Sequence, residues 1–181
     1  MKILGLPGIN PVTEQWMNNL FGILDLGQQD SSVQKYRCWQ TPGTRLDLGT
    51  ELARAGKEQA DVIIAKSIGT VLALHGFKKG LLAATEYIFI GVPVRGMGEN
   101  EKSMLREFIA ATPRLLFIQQ ADDKAGSVNE LRNVIANVAP VEIVGIPGND
   151  HMYSDIHQLK NIIESWISDT AGYTGRPTVD L

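Results

Sequence analysis

The sequence predicts an α/β fold built around a parallel sheet, and three observations lead there. Short apolar runs alternate with longer amphipathic ones along nearly the whole chain. The short runs are rich in β-branched and aromatic residues and are bounded by Gly, Pro or Asp, as strands are. They are continuously apolar rather than alternating, which is the pattern of strands covered by helices on both faces.

The elements follow in order. Lys2–Leu6 reads as the first strand, and its early break at Pro7 argues against a leader peptide. Thr13 is placed to cap a helix carrying Trp16, Leu20, Phe21 and Leu24 on one stripe. Val33–Gln40, with Tyr36 and Trp39, is a weaker strand, and the helix-forming stretch Gly49–Ala60 follows it. Asp61–Ala65 is a buried strand, and an apolar helix opens directly after Ser67. Tyr87–Ile90 is the next strand; Val94–Asn100 reads as a flexible binding loop behind it. Glu101–Ala111 gathers Met104, Leu105, Phe108 and Ile109 on one helical face. Arg114–Ile118 is a strand. Ser127 and Glu130 form a capping box ahead of Leu131, Val134, Ile135 and Val138. Val141–Val144 is the last strand, and a final helix from about Ser154 aligns Ile156, Leu159, Ile163, Trp166 and Ile167. A single domain is expected over 1–170, with a frayed tail over 171–181, where Gly172, Gly175 and Pro177 break any periodicity.

Composition narrows the function. The chain has 181 residues, 44% of them hydrophobic, which suits one self-sufficient core. Its formal charge of −3, with basic residues scattered, argues against a grip on nucleic acid or anionic membrane. No apolar run approaches the roughly 18 residues of a membrane span, and a cytoplasmic protein is expected. Cys38 is the single cysteine, so an internal disulfide and a cysteine-based zinc cluster are excluded. It reads as a core residue of an outer strand. Gly5-Leu-Pro-Gly8 lacks the features of a phosphate or dinucleotide loop, and Asp150, His151, Asp155 and His157 match no metal-site spacing. No motif sets an oligomeric state.

The stretch richest in chemistry is Ala65-Lys66-Ser67-Ile68-Gly69, where a strand turns into a helix. Small residues two before and two after a serine permit a turn tight enough to lift its Oγ above the sheet. The helix N-terminus behind then favours developing negative charge. The alternative is a capped junction in which Ser67 only satisfies amides. A serine nucleophile needs a base, and there are three histidines. His75 lies two turns into the helix after Ser67 and reads as a packed or partly exposed residue. His157 falls on the polar side of the last helix. His151 follows the last strand, at the carboxyl edge where every loop after a parallel strand emerges, so it can meet Ser67. Asp122 and Asp123 reach the same edge after Arg114–Ile118; either is placed to orient the base or to serve a solvated turn. Asp150 adjoins His151 in sequence, and such neighbours seldom face each other.

The chain order Ser67, Asp123, His151, the turn Ala65–Gly69, the loop Gly148-Asn-Asp-His151 with Tyr153 nearby, and Gln119-x-x-x-Asp123 ahead of Gly126-Ser127 together resemble the α/β-hydrolase superfamily, particularly its small lidless serine hydrolases. The resemblance implies a three-layer α/β/α sandwich with a six-stranded parallel sheet in the order 2-1-3-4-5-6. It implies no cap beyond the Val94–Asn100 loop. By the same resemblance Ser67 is the nucleophile, His151 the base and Asp123, rather than Asp122, the acid. The Ile68 and Ile9 amides would form an oxyanion hole, with no cofactor or metal. Three features depart from the pattern. Ala65 stands where glycine is usual, Leu6-Pro7-Gly8-Ile9-Asn10 replaces a His-Gly loop, and the chain starts at what would be the third strand of larger members.

The function expected is hydrolysis of a small-molecule acyl substrate, an ester or thioester, through an acyl-enzyme. A non-catalytic ligand- or partner-binding protein on the same fold is the alternative. Acyl transfer to an alcohol or amine is a further one, differing only in the acceptor.

Overall fold

The computed structural model describes residues 1–41, 43–112 and 114–169. The tail expected over 171–181 lies outside the described residues. Strands are β1 (Lys2–Leu6), β2 (Asp30–Val33), β3 (Val62–Lys66), β4 (Glu86–Ile90), β5 (Leu115–Gln120) and β6 (Glu142–Ile146). Helices are α1 (Val12–Ile23), α2 (Leu48–Ala55), α3 (Ile68–Lys78), α4 (Glu99–Ala111), α5 (Val128–Val134) and α6 (Ile156–Ser168). The strands form one parallel sheet in the order β2-β1-β3-β4-β5-β6, as the resemblance implies.

Alternation along each strand divides the core in two. Leu4, Leu6, Ile63, Ala65, Tyr87, Phe89 and Phe117 point to the face covered by α2–α5. Ile3, Val62, Ile64, Ile88, Ile90, Leu116 and Ile118 point to the face covered by α1 and α6. Both faces are buried, which is why the central strands read as unbroken apolar runs. Among the described residues no helix is long and apolar enough to cross a membrane.

Several boundaries differ from expectation for identifiable reasons. The second strand is not Val33–Gln40 but Asp30–Val33, an edge strand whose exposed polar residues carry no hydrophobic signal. After Gln34 N–H bonds the Gly5 carbonyl, the chain leaves the sheet. The apolar residues beyond serve the loop after β1: the Tyr36 hydroxyl donates to the Pro7 carbonyl (2.7 Å) and the Trp39 indole to that of Ile9 (2.7 Å). Cys38 therefore lies on a 3-10 turn, Arg37–Trp39, not on a strand, and packs partly buried against the core. α2 stops at Ala55 rather than Ala60. Thr13 is not a cap: it sits in the first turn of α1, and its hydroxyl donates to the Gly8 (2.9 Å) and Asn10 (2.6 Å) carbonyls. Val94–Asn100 is not a free loop. Val94 and Met97 are buried, the Arg95 N–H bonds the Ala125 carbonyl, and α4 already begins at Glu99.

Candidate active site

Ser67 stands between β3 and α3 at φ 53°, ψ −121°, a conformation costly for any residue with a Cβ. The surroundings hold it there. Its N–H bonds the Ile90 carbonyl (3.0 Å), and its own carbonyl accepts from the N–H (2.9 Å) and hydroxyl (2.7 Å) of Thr70. Gly69 makes the turn possible, because a Cβ there would lie 2.0 Å from the Leu6 carbonyl oxygen. Ala65 is fully buried and paired with both Leu6 and Phe89, so the strand accommodates it. The Ser67 side chain makes no capping bond to α3. Its Oγ is instead 2.8 Å from Nε2 of His151.

His151 also has positive φ, 63°. Its loop is fixed to the end of β5 by Gln120, whose side-chain oxygen accepts the His151 N–H (3.0 Å) and whose amide donates to Asp150 (3.0 Å). Gly148, at φ 138°, lets that amide pass: a Cβ would sit 2.4 Å from Gln120 Nε2. The His151 Nδ1 is 2.8 Å from each carboxylate oxygen of Asp123. Since an ionised carboxylate only accepts, Nδ1 carries the proton and Nε2 is free to accept from Ser67.

Asp123 is fully buried, whereas Asp122 is exposed and contributes only its N–H, to the Gly148 carbonyl. Burial alone would push the Asp123 carboxyl up. Donation from His151, from the Tyr153 hydroxyl (2.7 Å) and from the Ala125 N–H (2.8 Å) outweighs it and holds the carboxyl below the ordinary range. Burial and the bond to Asp123 push the Tyr153 phenol up, so it stays a donor. Gln119 braces the loop after β5: its side chain accepts the Val92 N–H (2.8 Å) and donates to the Gly126 carbonyl.

The loop after β1 has its carbonyls tied down, those of Pro7, Gly8 and Ile9 by Tyr36, Thr13 and Trp39. Across a trans peptide the N–H opposes the C=O, so the Ile9 N–H points away from Thr13. Ile68, as first residue of α3, has no acceptor for its N–H within the helix. Ile9 and Ile68 line, with Ser67, a cavity of about 460 Å³ whose other walls are mainly Leu46, Leu48, Val71, Pro93 and Met97, with Glu101 also lining it.

Of the remaining candidates, His157 is exposed on α6, and His75 lies in α3 with its Nε2 buried and unpartnered. Asp150 is held in the turn by Gln120 and by the Met152 N–H (2.8 Å). Among the described residues no group of three or more His, Cys, Asp or Glu is placed to hold a metal ion. One residue escaped the sequence reading altogether. Lys66 is 2% exposed, its Nζ bonds the His151 carbonyl (2.8 Å), and it lies near the rings of Trp16 and Tyr153. The signal was a lysine ending a wholly apolar run.

Neither family models nor curated proteins match the sequence. Solved structures do match in shape. An alpha-beta serine hydrolase homologue from Coxiella burnetii is 16% identical, with TM-score 0.66 over 91% of this chain and 83% of that one. An N-acyl homoserine lactone degrading enzyme is 11% identical, with TM-score 0.69 over 92% and 93%. The type II thioesterase of the borrelidin biosynthetic cluster is 12% identical, with TM-score 0.63 over 93% and 91%. What these proteins share with the chain is the course of the backbone.

Proposed function

The chain has the α/β-hydrolase fold, and from that premise we propose that it is a serine hydrolase cleaving a small ester or thioester through an acyl-enzyme. The observation that carries this reading is the unbroken line from Ser67 Oγ through both nitrogens of His151 to the buried carboxylate of Asp123. As Oγ attacks the carbonyl carbon, its proton passes to His151 Nε2, and the carbonyl electron pair moves onto oxygen. The Ile68 and Ile9 N–H groups hold that oxyanion; one such donor is worth roughly 100- to 1000-fold in rate. Collapse expels the alcohol or thiol, which takes the proton from His151. Water then gives a proton to His151, attacks the acyl-serine and restores Ser67 as the acid leaves. Asp123 keeps the imidazole in the required tautomer and stabilises its charged form.

A fluorophosphonate probe tests this directly, since Ser67 Oγ would displace fluoride from phosphorus. One adduct is expected, mapped by mass spectrometry to Ser67 and absent from Ser67→Ala. Folded protein that takes up no probe, beside a labelled control hydrolase, would turn the reading to a ligand-binding protein.

The cavity beside Ser67 is bounded by the loop after β1, the residues around the start of α2, and Pro93–Met97. Those last residues are anchored through Val94 and Met97 rather than free to lift as a lid. Short p-nitrophenyl esters are therefore expected to show the higher kcat/KM. A marked rise with acyl length, or activation by a lipid interface, would contradict this account of the cavity.

A further inference from the structure

Strand register places Lys66 where a lysine is out of place. Val62 and Ile64 face α1 and α6, and Lys66 follows them on that face, beside Ile90 of β4. A leucine or isoleucine would fill this position without a desolvation cost. The lysine is instead taken almost wholly out of water, with its Nζ 5.4 Å from the Trp16 ring centroid and 5.2 Å from that of Tyr153. Its hydrogen bond runs to the main-chain carbonyl of His151. His151 has positive φ, a conformation that the surrounding structure must hold in place. Gln120 holds its N–H, and Lys66 holds its carbonyl.

We propose that Lys66 is a positioning residue, whose ammonium fixes the His151 carbonyl and thereby keeps the imidazole in line between Ser67 and Asp123. This rests on the hydrolase reading above and adds to it a group outside the Ser67–His151–Asp123 line. The charge matters as well as the reach, because a charge-assisted bond is roughly twice as strong as a neutral one. The groups facing Nζ are Asp123 after β5, Asp150, His151 and Tyr153 after β6, and the uncharged Trp16 from α1. Burial pushes the Lys66 amine down to about 8 against the pull of Asp123 and Asp150. The tie is thus at full strength below about pH 8 and weakens as the pH rises through it.

The test uses the full chain with p-nitrophenyl acetate. Lys66→Met keeps the length and volume but removes the donor. Its kcat is expected to fall on the order of 100-fold, the scale of a catalytic group displaced by about 1 Å, with KM within about twofold. Its Tm should hold, since an apolar side chain suits the site. Wild-type kcat should decline through about pH 8, and the variant should lack that limb. In Lys66→Ala, added methylammonium should restore part of kcat. Wild-type kcat in Lys66→Met, or a loss there matched by lost Tm with no amine rescue in Lys66→Ala, would overturn the proposal. A low-field NMR resonance from the His151 Nδ1 proton provides a readout that needs no turnover and no variant. It should be sharp below pH 8 and broaden above it; a resonance unchanged to pH 10 overturns the proposal even if both variants fail to fold. Wild-type protein inert to esters and fluorophosphonate would instead count against the hydrolase reading, and the resonance would still judge Lys66.

Discussion

Asp123→Asn is expected to lower kcat by roughly 10⁴-fold with the fold intact, while Asp122→Asn stays within about a few-fold of wild type. The two neighbours differ in where the turn sends them. Asp123 is fully buried and receives His151 Nδ1, the Tyr153 hydroxyl and the Ala125 N–H. Asp122 is exposed, and only its backbone is engaged. An asparagine at 123 offers one acceptor and one NH2 group. With the NH2 turned to His151, the imidazole must place its proton on Nε2, where it can no longer accept from Ser67. Fluorophosphonate labelling should slow in step with ester turnover, and circular dichroism should match wild type. The reverse pattern would move the orienting role to Asp122; two silent variants would remove both from the mechanism. The same bonds give a pH dependence. Because the folded carboxyl lies below its ordinary value of 3.8, ionised Asp123 stabilises the fold above that value. That contribution is lost as the pH falls through the lower folded pKa, so Asp123→Asn should flatten the acid limb of Tm against pH.

The legible parts of this molecule are those where local chemistry and tertiary demand coincide. The turn at Ser67 could be read from sequence because the close approach of α3 to the end of β1 leaves no room for a side chain at Gly69. Asp123 and His151 were legible because the loops after β5 and β6 emerge at one sheet edge, where Asp123 meets the His151 ring and Gln120 its N–H. The illegible parts are those whose meaning depends on a distant partner. β2 is an exposed edge strand, and the aromatic residues after it, which mimic a strand, bind the loop after β1. Leu46 and Leu48 look like ordinary residues before a helix until the fold sets them into the cavity wall. Lys66 looks like the polar end of a strand until the register puts it on the α1 and α6 face.

Gly69→Ala is expected to damage stability and activity together, through one added methyl group. Its Cβ would lie 2.0 Å from the Leu6 carbonyl oxygen, 2.6 Å from its carbon and 2.8 Å from the Pro7 carbonyl oxygen. All three are backbone atoms, so no side chain can swing aside; the N-terminus of α3 must move off the end of β1. Overpacking of this kind costs about 3 kcal/mol or more, which in a domain of this size lowers Tm by about 6–12 °C. The displacement also parts Ile68 from Ile9, whose amides the proposed mechanism needs together. If both donors lose contact with the oxyanion, kcat falls by roughly 10⁴-fold or more, as the product of two such losses. The same substitution at Gly22 is the control. Gly22 is exposed on α1, nothing lies within 4 Å of a Cβ built there, and alanine suits a helix better than glycine by about 0.5–1 kcal/mol. Gly22→Ala should therefore raise Tm slightly and leave turnover unchanged. A Gly69→Ala protein with the Tm and kcat of wild type would mean that α3 is not wedged against the loop after β1, and the oxyanion site would have to be sought elsewhere.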